Sequence, residues 1–165
     1  MEITLNSPEA LRGLEQLRRN FGDRIVLGAG TVLCTDEVHA ALDAGATFIV
    51  APDTDADVIS ACKSRNILMI PGAYTPTEVK RAYQLGGNLV KLFPAETPAY
   101  VKAVHTPLNH IPLLATGGIN SDNAAKFLGA GASALGVGGS LTKPDLSLDE
   151  ISRRANALLD AVRHI

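Results

Sequence analysis

A pattern that recurs three times limits the folds open to this chain. The segments DAGATFIV (43–50), QLGGNLVKL (84–92) and GAGASALGV (129–137) each end a helical stretch in a small residue and glycine and then begin an apolar strand. Such short helix-to-strand connections are typical of repeated βα units. Repeated βα units build a parallel sheet that is either open or closed into a barrel. The pattern therefore predicts an α/β fold.

Apolar segments with strand character occur at seven places, and each is followed by a helical pattern. We predict strands at Glu2–Leu5, Arg24–Ala29, Thr47–Ala51, Ile67–Ile70, Asn88–Phe93, Ile111–Thr116 and Ala134–Val137. A closed (β/α)8 barrel requires eight strands, so either the sheet is open or one βα unit is missing. The length of 165 residues predicts a single domain over 1–165 that is short at its N-terminus.

Capping residues predict where several helices begin and end. Ser7 is placed as the N-cap of the first helix, with Pro8 at the first helical position and Gly22 at the end. Ser121 is expected to open the helix after the sixth strand. Ser147 is expected to start the final helix.

Composition excludes several classes of function. The formal net charge of -2 argues against non-specific nucleic-acid binding. The apolar runs are short and broken by glycine and proline, so no membrane span is predicted. The N-terminus shows no signal-peptide pattern, and Cys34 and Cys62 lack metal or redox spacing. The four histidines, including His164, also lack metal-site spacing. We therefore expect a cytoplasmic protein with reduced cysteines and no metal.

The segment NLVKLFPAE (88–96) places a lysine in the middle of an apolar strand. In an extended strand Lys91 shares one face with Leu89 and Phe93, while Val90 and Leu92 share the other. Burial would lower the pKa of the lysine, and a neutral amine can attack a ketone to form a Schiff base. The alternative is a lysine near a strand end whose ammonium group reaches water.

Glu2 is the second candidate for a catalytic role. EITLN alternates so that Glu2, Thr4 and Asn6 share one face. A polar face on a buried parallel strand is unusual and suggests a site. A carboxylate near a Schiff-base lysine could move protons. The alternative is that Glu2 is only a frayed terminal residue.

Two glycine-rich segments follow the last two predicted strands. ATGGIN (115–120) and GVGGSL (136–141) expose backbone N–H groups next to helix starts, which suits a phosphate. This position after the last two strands is also where barrel enzymes commonly bind phosphate. A third segment, GAGTVL (28–33), lacks the full dinucleotide-binding spacing, but Thr31 could offer a hydroxyl group to a substrate.

Taken in order, these motifs resemble one enzyme family. EITLNS, GAGTVL, IVAPD, IPGAYTPTE, VKLFPAE, ATGGI and GVGGSL are similar to segments of the class I aldolases that act on 2-keto-3-deoxy-6-phosphogluconate, its 6-phosphogalactonate counterpart and 4-hydroxy-2-oxoglutarate. The resemblance covers nearly the whole chain. It implies a (β/α)8 barrel of the TIM type, a homotrimer, pyruvate as a product and no cofactor.

The resemblance also implies roles for individual residues. Lys91 would be the Schiff-base lysine and Glu2 the acid/base that shuttles protons, whereas Thr31 would contact the pyruvate portion and Pro94 would shape the pocket. The residues implied in phosphate binding are Gly117, Gly118, Gly138, Gly139 and Ser140. The expected reaction is cleavage of a phosphorylated keto acid to pyruvate and glyceraldehyde 3-phosphate.

Two departures from the family pattern affect these expectations. The opening βα unit of the family is absent, and with it an arginine that helps to hold the substrate carboxylate. We therefore expect weaker activity and association into a homo-oligomer that covers the gap. Asn6 stands where the phosphogluconate enzymes carry an arginine, and LNS is more similar to the phosphogalactonate branch.

Two other functions remain open at this point. A non-catalytic phosphate-binding or assembly protein could derive from the same family, although Lys91 and Glu2 are intact. A different phosphosugar enzyme of the barrel class, such as an isomerase, would be expected to carry paired catalytic carboxylates on opposite strands. The sequence shows no such pair.

Overall fold

Eight short strands alternate with seven helices in this structure, a computed structural model that describes residues 1–163 and 165. His164 therefore lies outside the described residues. The strands are β1 Glu2–Thr4, β2 Gly28–Gly30, β3 Phe48–Val50, β4 Leu68–Ile70, β5 Gly72–Ala73, β6 Val90–Leu92, β7 Leu113–Thr116 and β8 Ala134–Gly136. They form two four-stranded sheets, in the orders β1-β2-β3-β4 and β5-β6-β7-β8.

The helices follow the strands as the βα pattern predicts. They are α1 Ala10–Phe21, α2 Thr35–Asp43, α3 Ala56–Ser64, α4 Pro76–Leu85, α5 Pro98–His105, α6 Ala124–Gly129 and α7 Leu148–Val162. Two 3-10 turns, Gly22–Arg24 and Thr106–Leu108, follow α1 and α5. Within the described residues, none of the helices is both long and apolar enough to cross a membrane.

All seven predicted strand positions carry strand structure, but two details differ. A short additional strand, β5, follows β4 after Pro71. The ladder is interrupted at Pro71 because a proline has no N–H to donate. The strand expected to begin at Arg24 begins at Gly28 instead, since the residues before it form the 3-10 turn. Arg24 has strand-like neighbours in sequence, but it belongs to the 3-10 turn that follows α1.

Two predicted helix starts were wrong. Ser7 does not cap α1: its hydroxyl group lies 2.8 Å from that of Thr4, and the helix begins after Glu9, whose φ is 57°. Likewise α6 begins after Asn123 rather than at Ser121. In both places the expected capping residue lies in a local turn that precedes the helix. Gly22 ends α1 as predicted.

The chain forms two compact units, and each has its own packing. The first unit comprises Met1–Ala73 and Thr77–Lys91, and the second comprises Tyr74–Pro76 and Leu92–Ile165. Organisation as a single domain therefore stays a prediction.

The first unit packs its helices on a parallel sheet. Glu2 pairs with Gly28 and Thr4 with Gly30 in the β1–β2 register. The core residues with no exposed surface include Leu14, Leu27, Val38, Ile49 and Val58. Each such side chain contributes roughly 1.5–3 kcal/mol relative to an exposed one. This core fixes the sheet from which Glu2 projects.

The second unit builds its sheet from β7 and β8. Leu114 pairs with Ala134 and Thr116 with Gly136, so the two strands run parallel and end at the same edge. Helix α7 begins as predicted, because the Ser147 hydroxyl group accepts a hydrogen bond of 3.2 Å from the Glu150 N–H. The glycine-rich loops therefore leave the sheet side by side.

Candidate active site

Lys91 lies in β6 with the orientation that the sequence predicts. Val90 and Leu92 on either side are fully buried, whereas Lys91 is half-buried on the opposite face of the strand. Its backbone N–H donates a 2.9 Å hydrogen bond to the carbonyl of Pro71, which fixes the strand beside the segment that follows β4. Burial lowers the pKa of the Lys91 amine below its ordinary value. This shift increases the fraction of neutral amine, the form that a Schiff base requires.

Glu2 projects from β1 over a glycine of the neighbouring strand. A Cβ atom added to Gly30 would lie 2.4 Å from Glu2 Oε2, so the carboxylate would have to move aside for any larger residue. Glu2 is exposed as a residue, but partial burial of its carboxyl group raises the pKa, and the charges of Lys91 and of the Met1 amino group partly oppose this shift. Glu2 is therefore an ordered part of the first unit and suited to carry a proton.

Lys91 and Glu2 influence each other electrostatically, although β1 and β6 belong to different sheets. The carboxylate charge of Glu2 raises the pKa of Lys91, and the ammonium charge of Lys91 lowers that of Glu2. Both residues belong to the first unit, so each charge acts on the other within that unit.

Thr31 and Asn6 lie directly after β2 and β1. Thr31 is half-buried and has a φ of 57°, a left-handed conformation that is uncommon for a β-branched residue. The peptide bonds around it are held, because Gly30 accepts from the Leu5 N–H at 2.8 Å and Val32 donates to Val50 at 3.2 Å. Asn6 is exposed in the turn after β1. Such strain at a strand end is typical of ligand-binding segments.

The two glycine-rich loops lie next to each other in the second unit. The Thr116 hydroxyl group donates a 3.0 Å hydrogen bond to the Gly136 carbonyl, and the Ser140 hydroxyl group donates to the carbonyl of Ile119. A Cβ atom on Gly118, Gly138 or Gly139 would meet nothing within 4 Å. The loops therefore lie side by side and leave open space at these three glycines.

Pro94 lies beside the first of these loops. A Cβ atom on Gly117, whose φ is 106°, would lie 3.5 Å from the Cα of Pro94 and from the ring of Phe93. The peptide bond between Phe93 and Pro94 is cis. The N–H of Ala95 donates a 2.9 Å hydrogen bond to the Thr116 carbonyl. Pro94 thus helps to form the wall of the ATGGIN loop.

Comparison with known protein families gives the same answer as the motifs. The family described as "Aldolase: KDPG and KHG aldolase" matches residues 1–156. The chain belongs to this family. The resemblance inferred from the motifs is therefore confirmed, and so is the prediction that the chain is an aldolase.

Curated relatives share about a third of their residues with this aldolase. It is 34% identical over 164 residues to a "Probable 2-dehydro-3-deoxy-6-phosphogalactonate aldolase" of Rhizobium meliloti, with 98% of this chain and 77% of the relative covered. It is 32% identical over 166 residues to the 2-dehydro-3-deoxy-6-phosphogalactonate aldolase of Escherichia coli, with 99% of this chain and 81% of the relative covered.

Solved structures confirm the predicted fold class. One described as "Native KDPGal structure" superposes with a TM-score of 0.93 at 33% identity, covering 98% of this chain and 80% of that one. A porous protein cage designed by fusing symmetric oligomeric domains also gives 0.93 at 32% identity, and the aldolase spans 61% of its chain. A KDPG aldolase from Legionella pneumophila, with pyruvate captured as a covalent carbinolamine, gives 0.76 at 31% identity, covering 97% and 76%. The chain has an α/β fold of the TIM type.

Two residues beside the candidate site were not found from the sequence. Gly30 was not recognised as the residue that makes room for Glu2. Arg154 of α7 donates a 3.1 Å hydrogen bond from Nη1 to the carbonyl of Ser140. The helical spacing of Glu150 and Arg154 was a signal for an ion pair, but nothing in the sequence indicated that the arginine also reaches a loop.

Proposed function

We propose that this aldolase cleaves a 2-keto-3-deoxy-6-phospho sugar acid, of the 6-phosphogalactonate or 6-phosphogluconate type, to pyruvate and glyceraldehyde 3-phosphate. The observation that carries the proposal is the electrostatic pairing of Lys91 and Glu2, two groups whose pKa values burial moves toward neutrality from opposite sides. The names of its relatives supply the substrate class.

The first chemical step uses the Lys91 amine as a nucleophile. Neutral Nζ adds to the C2 ketone of the substrate to give a carbinolamine, which loses water to give an iminium ion. The iminium is a sink for the electron pair of the C3–C4 bond. The lowered pKa of Lys91 increases the fraction of neutral amine available for this step.

The second step needs a base that becomes an acid. Glu2 accepts the proton of the C4 hydroxyl group, the C3–C4 bond breaks, and glyceraldehyde 3-phosphate leaves. The remaining enamine takes a proton at C3, and water hydrolyses the iminium to release pyruvate and the free amine. The raised pKa of Glu2 suits this exchange of protons near neutral pH.

Binding of the rest of the substrate is assigned to residues at strand ends. We assign the phosphate to the backbone N–H groups of four glycines and to Ser140; the glycines are Gly117, Gly118, Gly138 and Gly139. Two observations support this assignment: the loops are joined by a hydrogen bond, and open space lies in front of Gly118, Gly138 and Gly139. Thr31 and Asn6 are assigned to the keto-acid portion, and Pro94 shapes the wall beside Gly117.

The assembly and location of the enzyme belong to the same proposal. We expect a homo-oligomer, and a trimer from the family resemblance. Large apolar side chains remain exposed, among them Val26 at 69% and Leu159 at 61%, and association would cover such surface. Cys34 and Cys62 form no disulfide, which agrees with a reducing, cytoplasmic setting. Sedimentation tests the assembly, and a stable monomer would contradict it.

A substrate comparison tests the activity. Purified enzyme is given the 6-phosphogalactonate and 6-phosphogluconate keto acids and unphosphorylated 4-hydroxy-2-oxoglutarate, and pyruvate release is measured. We expect both phosphorylated substrates to be cleaved with a lower KM than the unphosphorylated one, and no release by Lys91→Met. Absence of pyruvate from all three substrates would favour a catalytically impaired phosphate-binding or assembly protein instead.

A further inference from the structure

The side chain of Arg154 joins helix α7 to the loop after β8. Arg154 Nη1 donates to the Ser140 carbonyl at 3.1 Å, and Arg154 Nε donates to Glu150 Oε1 at 2.7 Å. The arginine side chain is only 28% exposed, so its stem is packed against the protein. A guanidinium group held at two points has a defined position, unlike an exposed surface arginine.

Ser140 also connects its loop to the glycine-rich loop after β7. The Ser140 hydroxyl group donates to the carbonyl of Ile119, which is almost fully buried. Asn123 Nδ2 donates to the carbonyl of Gly118 at 3.0 Å. A continuous series of hydrogen bonds therefore runs from α7 through Ser140 to the loop after β7.

The loop after β8 needs such support because glycine provides little of its own. Gly138 and Gly139 have no side chains to pack, and glycine has more backbone freedom than any other residue. Two hydrogen bonds to the Gly138 carbonyl, from Leu141 at 2.8 Å and Thr142 at 3.1 Å, shape the turn internally. Arg154 is the side chain that anchors this turn to a helix. Anion binding by backbone N–H groups depends on their being held in place beforehand.

Arg154 also brings charge close to the loops. Arg153, Arg154 and Glu150 form a cluster with two positive groups and one negative group, beside a cavity of about 210 Å³ that Asn120, Ser121 and Ser140 also line. Hydrogen bonds from Arg153 and then Arg154 lower the pKa of Glu150 to about 2, so the anchoring carboxylate stays charged. The charged carboxylate therefore keeps its hydrogen bond to Arg154, which in turn bonds the carbonyl of Ser140.

We propose that Arg154 is a positioning residue for phosphate binding: anchored by Glu150, it holds the carbonyl of Ser140 and thereby fixes the N–H groups of the 138–141 loop. The proposal rests on the proposed function, which assigns phosphate to these loops. Arg154 itself does not contact the phosphate. Arg153 lies on the same helix and donates two hydrogen bonds to the same carboxylate, but its side chain is 70% exposed, so it is the matched control.

Titration with inorganic phosphate, followed by the amide NMR signals of residues 117–118 and 138–140, tests the proposal. We expect Arg154→Met to weaken phosphate binding by about tenfold, as loss of a charge-assisted hydrogen bond would. Arg153→Met should stay within about twofold of the unsubstituted protein, since it leaves the loop contact intact. Arg154→Lys keeps the charge and the stem but not the fork that joins Glu150 to Ser140, so it should weaken binding by an intermediate factor of about threefold.

Three results would overturn the proposal. They are an unchanged phosphate affinity in Arg154→Met, an equal loss in Arg153→Met, and no phosphate shifts at these loops in the unsubstituted protein. If Arg154→Met does not fold, as judged by thermal melting, Arg154→Lys decides the matter: unchanged affinity overturns the proposal and weakened affinity supports it.

A second readout separates positioning from general damage. Exchange of the C3 hydrogens of pyruvate with solvent deuterium requires the Lys91 iminium but no phosphate. We expect Arg154→Met to raise KM for phosphorylated substrates while this exchange continues at the same rate. An equal fall in exchange would contradict a positioning role. Phosphate binding that depends on Arg154 in a protein that performs no exchange would uphold this inference and refute the proposed function.

Discussion

The two units present different kinds of candidate functional group. In the first unit the candidate groups are ionisable side chains, Lys91 on β6 and Glu2 on β1, whose charges act on each other. In the second unit they are backbone groups on loops that leave the sheet, fixed by hydrogen bonds from Thr116, Ser140 and Arg154. Bond making needs groups with adjusted pKa values, whereas phosphate needs a cradle of N–H donors.

This contrast predicts that substitutions in the two units affect different kinetic constants. Changes around Lys91 and Glu2 should lower kcat and pyruvate exchange together. Changes in the glycine-rich loops should raise KM for phosphorylated substrates and spare pyruvate exchange. A substitution in either unit that changes the kinetic constants expected of the other unit would contradict this difference in roles.

Removing the carboxylate of Glu2 should give the largest effect among the substitutions that spare Lys91. We expect Glu2→Gln to lower kcat by about 10²–10⁴-fold, the usual contribution of an acid/base group. Glu9→Gln, which changes an exposed glutamate paired with Arg12, is the control and should be near normal. Steady-state kinetics with a phosphorylated keto acid provides the measurement. A Glu2→Gln enzyme with normal turnover would show that another group moves the proton.

Filling the space beneath Glu2 should have a smaller effect of the same kind. The added methyl group of Gly30→Ala would meet Glu2 Oε2 at 2.4 Å and push the carboxylate aside. Because misplacement by about 1 Å can cost 10²-fold, we expect kcat to fall by up to about a hundredfold. The melting temperature should change little, since a flexible side-chain end gives way. Gly129→Ala has open space around its Cβ and is the control. Equal kcat values in the two variants would show that the space at Gly30 does not matter for the position of the Glu2 carboxylate.

The loops should give a change in KM. Gly138→Ala adds a methyl group that meets no protein atom, so the fold should tolerate it. The methyl group would occupy the space where a phosphate approaches the backbone, and we expect KM for phosphorylated substrates to rise by about tenfold. Pyruvate exchange, measured on the same sample, should be unchanged. A fall in exchange with unaltered KM would place Gly138 in the chemistry instead.

The smallest predicted change is a shift in pH dependence. Burial lowers the pKa of Lys91, and the charge of Glu2 raises it in part. Trapping of pyruvate should therefore increase with pH, with a midpoint below the ordinary pKa of lysine. Glu2→Gln removes the negative charge, so the midpoint should move to still lower pH. Rates of adduct formation across a pH series test this, and a midpoint that moves upward would mean that Glu2 does not act on Lys91 through its charge.

The sequence predicts the side-chain half of the site better than the backbone half. Alternation in EITLN and in LVKLF places Glu2 and Lys91 on defined strand faces, because strand periodicity alone determines the face. The βα repeats predict the fold class for a similar reason. Whether the charges of the two residues act on each other depends on how β1 and β6 are placed within the first unit, which no local pattern contains.

Helix starts and loop anchors were harder to predict. Ser7 and Ser121 have the chemistry of N-caps, yet each lies in a turn that precedes its helix. The contact between Arg154 and Ser140 joins residues that are 14 positions apart, and it depends on how α7 packs. Local propensity describes neither event, since both follow from tertiary structure.

Borohydride trapping of pyruvate, followed by peptide mapping, tests the central claim that Lys91 is the nucleophile. The protein is incubated with pyruvate and sodium borohydride, digested, and analysed by mass spectrometry alongside Lys91→Met and Lys102→Met, the latter changing a lysine on α5. We predict one reduced pyruvate adduct, located on the peptide that contains Lys91, in the unsubstituted protein and in Lys102→Met, and none in Lys91→Met. An adduct on a different lysine, or one that persists in Lys91→Met, would contradict the account.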